Sequence, residues 1–443
     1  MSRRWFGTDG IRGVANVDLT PELALRVGRA AARVLRSEGP PRVLVGMDTR
    51  LSGPVLSSAV AAGIAAEGGA VYLGGILPTP AVSRLVVARD FDFGVVISAS
   101  HNLYRDNGIK VFGPDGRKLS DEVEFKIEQE MESSALSTGE MGGIEELVGA
   151  APDYVDGLLG SLDVDLSGTR ILVDCAHGAA FQVAPLTFRA AGAHVETICA
   201  RPDGRNINED CGSTAINTLS SYMEQGEYDL GMAFDGDADR ILAVDSAGNA
   251  VDGDQIIAIL AIWLKERNRL DGDRVVVTSM SNLGFRKAME EQDVEVEVTD
   301  VGDRYVLERM TEVSAVLGGE QSGHVIYLPA GPAGDGLQTG LLLAQAVKSS
   351  GRPLSELAGI VTQYPQILVN VEVAHKERLG EAVAVMDALQ NERDLLGGDG
   401  RIVIRPSGTE PLVRIMVEAP TQDRCREVAG RLIEAVESEL GRP

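Results

Sequence analysis

The sequence predicts an α/β protein in which one βαβ pattern occurs three times, followed by a smaller α+β domain. Two observations carry this. Three segments open on an arginine and a short β-branched run: Arg42-Val-Leu-Val-Gly, Arg170-Ile-Leu-Val-Asp and Arg274-Val-Val-Val-Thr. Short apolar runs bounded by Gly or polar residues read as buried strands of a mostly parallel sheet. The length of 443 residues is the second. It suits about three domains, give or take one.

Each opening strand leads into an amphipathic stretch and then a second strand: Ala70 to Leu73, His194 to Ile198, and Glu295 to Val298. A third strand follows: Gly94 to Ile97, Leu230 to Phe234, and Ala315 to Leu317. This is βαβ logic repeated. The C-terminal stretch differs. Arg401 to Arg405 and Leu412 to Glu418 read as strands joined by Pro406-Ser-Gly-Thr-Glu-Pro411. A strand near Ile367 to Val373 and a closing helix from about Asp423 to Leu440 complete a small α+β domain. The expected domains are 1–150, 151–250, 251–365 and 366–443.

Composition excludes several classes. Hydrophobic residues make up 44% and charged residues 24%, ordinary globular usage that argues against disorder. The net charge of -25 argues against nucleic acid or an anionic membrane as partner. Aromatics, at 4%, offer few stacking platforms. The longest apolar run, Ile256 to Leu264, is far shorter than the roughly 20 residues of a membrane span. The first residues lack the apolar core of a signal peptide, so the expected location is cytoplasmic. The four cysteines, Cys175, Cys199, Cys211 and Cys425, include no Cys-x-x-Cys pair. They are expected as reduced thiols, not zinc ligands or disulfides.

Each third strand runs into an unusual polar segment. These are Ser98-Ala-Ser-His-Asn102, Asp235-Gly-Asp-Ala-Asp-Arg240 and Gly319-Glu-Gln-Ser-Gly-His324. Ligands of α/β sheets bind beyond the carboxyl ends of strands. Three equivalent strand ends therefore predict one shared site.

In an extended loop Asp235, Asp237 and Asp239 project to one side. Carboxylates about 5 Å apart repel by roughly 3 kcal/mol per pair at an effective dielectric of 20. A divalent cation removes that penalty, and hard oxygen ligands suit Mg²⁺. A solvated acidic turn is the bland alternative. An EF-hand is excluded, because Arg240 and Ser246 stand where that loop needs Gly and Glu.

Ser100 ends a strand and is a nucleophile if activated. Neighbouring Ser100 and His101 diverge, and there is no Gly-x-Ser-x-Gly elbow, so a Ser-His-Asp hydrolase is not expected. An ordinary polar turn is the alternative. Lys110, ten residues on, is either a surface lysine or an acid/base group. Arg405, Ser407, Gly408 and Thr409 offer a guanidinium, hydroxyls and approachable amides to an anion, with Arg414 nearby. A plain hairpin turn is the alternative there. Arg12 adds a cation in Gly10-Ile-Arg-Gly13. In so acidic a chain, Arg12, Lys110, Arg240, Arg405 and Arg414 are the candidate cations for an anionic substrate.

Taken together these motifs resemble the α-D-phosphohexomutase family. Phe6-Gly-Thr-Asp-Gly-Ile-Arg-Gly13, Ser98 to Asn102, Asp106 to Lys110, Asp235 to Arg240, Gly319 to His324 and Arg405 to Pro411 occur in that family's order along the whole chain. The long N-terminal motif and the Gln of Gly-Glu-Gln-Ser-Gly-His are similar to its phosphoglucosamine mutase branch.

The resemblance implies four domains around a central cleft, three of them similar mixed-sheet domains. It implies a phosphoserine at Ser100 and Mg²⁺ held by Asp235, Asp237, Asp239 and a phosphoserine oxygen. The substrate would be a small sugar phosphate, converted between glucosamine 6-phosphate and glucosamine 1-phosphate through a 1,6-bisphosphate. The product would feed UDP-N-acetylglucosamine and peptidoglycan synthesis. Lys110 matches a general acid/base, and Arg240 a group near the transferring phosphoryl. His101 stands beside the nucleophile. Glu320, Ser322 and His324 match sugar-binding positions. Arg405, Ser407, Gly408, Thr409 and Arg414 match the loop for the non-reacting phosphate, and Arg12 a further substrate-binding cation. A phosphomannomutase or phosphoglucomutase of the same family is the alternative. A catalytically silent sensor and a metal-dependent phosphatase stand further off. The chain is expected as a monomer or homodimer. One departure is Leu103, where the family usually has Pro; without Pro's fixed φ the loop loses a source of stiffness.

Overall fold

The computed structural model describes residues 4–7, 9–37, 39–133, 139–407 and 411–441. They form four sheets, of seven, five, four and three strands. The chain divides into two compact units, 1–280 with 293–360, and 281–292 with 361–443.

The three expected βαβ segments lie in the first unit. The strands open at Arg42–Met47, Arg170–Asp174 and Arg274–Thr278. The second strands are Ala70–Ile76, His194–Ile198 and Glu295–Thr299, each parallel to its opener. The third are Phe93–Ile97, Leu230–Phe234 and Leu317–Gly319, again parallel. The last begins two residues later than its sequence pattern suggests, because Ala315 and Val316 precede the ladder. A further strand then returns antiparallel in each case: Asp106–Phe112, which the sequence reads as a turn and strand, and Ile241–Asp245 and Val325–Tyr327, which it does not mark. All three sheets thus share one order: return strand, third, first, second. That shared order is what makes the faint repeat real.

Phe93–Ile97 and Leu230–Phe234 are buried at every residue, as continuous apolar runs require. The first helix, Pro21–Val34, starts where the Thr20 side chain accepts from the Leu23 amide, with Pro at the first turn. No helix among the described residues is long and apolar enough to cross a membrane.

The second unit holds an antiparallel sheet in the order Gln366–Glu372, Leu412–Glu418, Arg401–Pro406. Helices Val383–Leu396 and Gln422–Leu440 bury Val385, Leu389, Val428 and Leu432 with its strands. The helix Leu283–Glu291 also belongs here. Asn282 exchanges hydrogen bonds with Tyr364, and the Leu283 amide donates to Glu418. Polar pairing decides that placement, and the βαβ pattern does not show it.

Candidate active site

The ends of the strands Phe93–Ile97 and Leu230–Phe234 bring two loops together. The Ser100 hydroxyl donates to Asp235 Oδ2 at 2.6 Å. Ser100 is 1% exposed, not the open hydroxyl that a strand end suggests. Its φ of 52° is left-handed, a strained conformation for serine. The approach is close because residue 236 is glycine: a Cβ there would stand 2.5 Å from the Ser100 carbonyl.

The aspartate loop is a turn, not an extended segment. The Ala238 amide donates to the Asp235 carbonyl, and Ala238 takes a φ of 56°. The turn still gathers one oxygen from each of Asp235, Asp237 and Asp239 within 4.8 Å of one another. All three residues are buried. Burial, then the charges of Asp239 and Asp237, push the Asp235 carboxyl well up. Asp237 Oδ1 and Asp239 Oδ1 are buried with no hydrogen-bond partner among the described residues. Two orphaned carboxylate oxygens beside a third carboxylate fit a hard divalent cation.

Lys110, on the return strand Asp106–Phe112, is the resident counter-charge. Its ammonium lies 2.8 Å from Asp237, 3.0 Å from Asp9 and 3.4 Å from Asp239. Burial favours the neutral amine, but those three carboxylates outweigh it and raise the pKa well above the ordinary value. The site therefore holds Lys110 as a cation.

Asp239 is held far below the usual carboxylate range against its own burial, by Lys110, His324 and Arg240. His324 is buried, with Nδ1 3.7 Å from Asp239 and Nε2 3.5 Å from Asp303. This ring is committed to the carboxylate network. Lys118 extends the network, 2.5 Å from both Asp9 and Asp303. Burial is overcome there too, and the two carboxylates push its pKa up to about 12. Arg12 pairs with Asp9. Arg240 keeps its charge despite burial, facing Asp239, Asp235 and Glu320.

His101 Nδ1 lies 3.4 Å from Ser100 Oγ. Burial first, then Arg240 and Arg12, lower its pKa, so the imidazole is neutral near pH 7. Glu320 and Ser322 sit on a loop pinned by Gly323, which takes φ of 92° and packs where a Cβ would meet the Ile241 carbonyl at 2.1 Å. The Gly323 carbonyl accepts from the Ile241 amide at 3.0 Å. Ser322 Oγ stands 3.4 Å from Glu320 Oε2.

Several residues here escaped sequence reasoning. Thr79 donates to Asp237 at 2.5 Å, and the Thr79 amide to the Asp237 carbonyl at 2.9 Å. Arg50 is fully buried and donates to the carbonyls of Ser100 at 2.9 Å, Asn102 at 2.7 Å, Leu103 and Asp106. Asn208 donates to the carbonyls of Ser100 and Asn102, each at 2.9 Å. These contacts give the loop the stiffness that Leu103 does not supply. Asp9 stands within the N-terminal motif. Nothing in the sequence marks Thr79, Lys118 or Asp303.

In the second unit, Arg405 and Arg414 are directly opposed across neighbouring strands. Like charges so placed are unfavourable unless an anion or acid answers them. Lys376 donates to the Ser407 carbonyl at 2.7 Å. Gly408 and Thr409 lie outside the described residues.

Three α/β sheets of one strand order, with a serine set against a buried aspartate cluster that fits a divalent cation, define the class. The chain belongs to the phosphoglucomutase/phosphomannomutase family. The family's domains I, II and III, described as alpha/beta/alpha, match residues 3–137, 152–248 and 252–364, and its C-terminal domain matches 368–435. A phosphoglucosamine mutase from Streptomyces avermitilis is 49% identical, over 99% of this chain and 100% of its own. Another, from Geobacillus thermodenitrificans, is 47% identical over 99% of each. A solved phosphoglucomutase/phosphomannomutase family protein from Burkholderia thailandensis shares the fold, with a TM-score of 0.82 at 24% identity, over 98% of this chain and 97% of that one.

Proposed function

We propose that this protein interconverts glucosamine 6-phosphate and glucosamine 1-phosphate through a phosphoserine at Ser100 and a 1,6-bisphosphate, for UDP-N-acetylglucosamine synthesis. The observation that carries the reading is the contact of Ser100 Oγ with the first of three clustered, buried aspartates. Full-length similarity to phosphoglucosamine mutases supports the choice of sugar.

In this reading residues 1–150 carry the phosphoserine loop and 151–250 the metal loop. Residues 251–365 carry the sugar loop, and 366–443 the phosphate loop. Asp235, Asp237, Asp239 and a phosphoserine oxygen hold Mg²⁺, which when bound supplies charge neutralisation at the phosphoryl group. The bond from phosphorus to Ser100 Oγ breaks as the bond to the sugar oxygen forms. The sugar hydroxyl must lose a proton, and Ser100 Oγ must regain one. Neutral His101 is equipped to accept, and charged Lys110 to donate. In the second half, the other phosphate of the bisphosphate passes to Ser100 and the roles reverse. Arg240 and Arg12 keep positive charge near the serine. Glu320 and Ser322 present oxygens to sugar hydroxyls or the amine. Arg405, Arg414, Ser407, Gly408 and Thr409 hold the non-reacting phosphate.

Two measurements test this. Intact and peptide mass should place one phosphate on Ser100. Comparison of kcat/KM for glucosamine, glucose and mannose phosphates should favour glucosamine. A preference for glucose or mannose would move the chain to the family's other activities. Phosphate release without isomerisation would make it a phosphatase.

A further inference from the structure

On the far side of the Ser100 loop, three turns bring His177, Cys199 and Cys211 together. One ring nitrogen and the two sulfurs lie within 4.8 Å of one another. Cys211 is buried, while His177 and Cys199 are partly accessible. The residues are distant in sequence, so the absence of a Cys-x-x-Cys pair conceals them.

The turns are tied to each other by backbone bonds. The His177 amide donates to the Cys199 carbonyl at 2.6 Å, and the Cys175 amide to the Ile198 carbonyl at 3.2 Å. Asp174 accepts from the Ala176 amide at 2.9 Å and the Gly212 amide at 2.8 Å, joining the turns that carry His177 and Cys211. Burial pushes the Asp174 carboxyl up, and those two amides, His177 and Cys199 oppose it. The Arg201 amide donates to His177 Nδ1 at 3.1 Å, a bond that ligation through this nitrogen displaces. Two thiols, an imidazole and a carboxylate behind them form a recognisable donor set. Thiolate and imidazole prefer a borderline cation, whereas the aspartate loop offers only hard oxygens.

We propose that His177, Cys199 and Cys211 form a second metal site, separate from the aspartate loop, that takes a thiophilic divalent cation of the Zn²⁺ class. A tetrahedral ion would draw the ligands to roughly 3.6–3.8 Å apart, given metal–ligand bonds of about 2.0–2.3 Å. Each cysteine thiol releases its proton to solvent as it binds as thiolate. Asp174 is the outer partner that fixes the ligand-bearing turns. The site also adjoins the serine loop. The Thr49 hydroxyl donates to the His177 carbonyl at 2.6 Å. The Asn208 amide donates to the Ala176 carbonyl at 2.9 Å, while its side chain holds Ser100 and Asn102. An ion there braces the backing of the nucleophile.

The test uses the full chain, kept reduced with a phosphine, in excess Mg²⁺ so that the aspartate loop is answered. Cd²⁺ should give a thiolate charge-transfer band that saturates at one equivalent, and Co²⁺ the visible bands of a tetrahedral sulfur site. Cys199→Ser should lose both, and Asp174→Asn should weaken binding by about 10–100-fold. Cys425→Ser should leave them unchanged, because that thiol donates to the Pro365 carbonyl in the other unit. Absence of the bands in the reduced wild-type chain overturns the proposal without recourse to any variant. Their survival in a folded Cys199→Ser protein overturns it as well.

Discussion

Ser100 and Asp235 stand 135 residues apart in the chain and meet through one hydrogen bond of 2.6 Å. The bond sets the hydroxyl against the aspartate cluster. It also gives Asp235, whose ionisation is resisted by burial and by two neighbouring carboxylates, a donor. Ser100→Ala should abolish isomerisation, even with bisphosphate supplied. Since the hydroxyl is buried and bonded, the substitution should also cost stability, by about 1 kcal/mol. Wild-type turnover in Ser100→Ala would end the covalent reading.

Relief of repulsion in the aspartate loop does not fall equally on its members. From the sequence alone, Asp237→Asn is expected to preserve or raise stability without metal. The structure reverses that expectation, because Asp237 accepts from both Lys110 and Thr79. Removing its charge leaves a buried ammonium less well answered. Melts in chelator should show Asp237→Asn destabilised by about 3 kcal/mol. Asp235→Asn should be neutral or stabilising there, since an amide can still accept from the Arg240 amide and donate to Ser100. Both should weaken Mg²⁺ binding and lower kcat.

Arg50 is expected to matter more than Leu103. Its guanidinium serves four carbonyls of the serine loop and pairs with Asp48 at 2.8 Å. An ammonium cannot reproduce that fork. Arg50→Lys should cost about 3 kcal/mol and reduce kcat. Leu103→Ala, at a side chain 57% exposed, should change stability by less than about 0.5 kcal/mol. Equal effects in melts and turnover would show that the fork does not hold the loop.

Arg405→Ala should raise KM for the sugar phosphate and lower kcat, because binding energy at the non-reacting phosphate helps orient the reacting end. Inorganic phosphate released per turnover, at saturating substrate, should rise. If KM and phosphate release both stay at wild-type values, Arg405 is a turn residue only.

A stability test lies away from the chemistry. Glu67 accepts from Arg29 at 2.7 Å and Arg33 at 2.9 Å, and Arg33 also reaches Glu130 at 2.6 Å. Burial would raise the Glu67 carboxyl, but the two arginines hold it below the ordinary value of 4.5. A depressed folded-state pKa gives stability that is present above the unfolded value and lost as pH falls through the folded one. Glu67→Gln should therefore cost about 1 kcal/mol at pH 7 and progressively less below about pH 4. A pH-independent difference in Tm would assign the loss to packing instead.

The sequence by itself determined the elements that rest on local pattern. Continuous β-branched runs read as buried strands, so the openers at Arg42, Arg170 and Arg274 and their partners were legible to within a few residues. Polar motifs at strand ends were legible as a shared site for the same reason. Of the return strands only Asp106–Phe112 was legible; Ile241–Asp245 and Val325–Tyr327 were not, because an antiparallel strand beside a buried one is set by its neighbour, not by its own period. Tertiary structure alone decided that Lys110 is a buried cation held by Asp9, Asp237 and Asp239. It decided equally that Arg50 and Asn208 brace the serine loop, and that His177 meets Cys199 and Cys211. These are contacts between residues tens to over a hundred positions apart. No periodicity encodes them, because the free energy of burying a charge or gathering thiols depends on which distant partners the packed fold delivers.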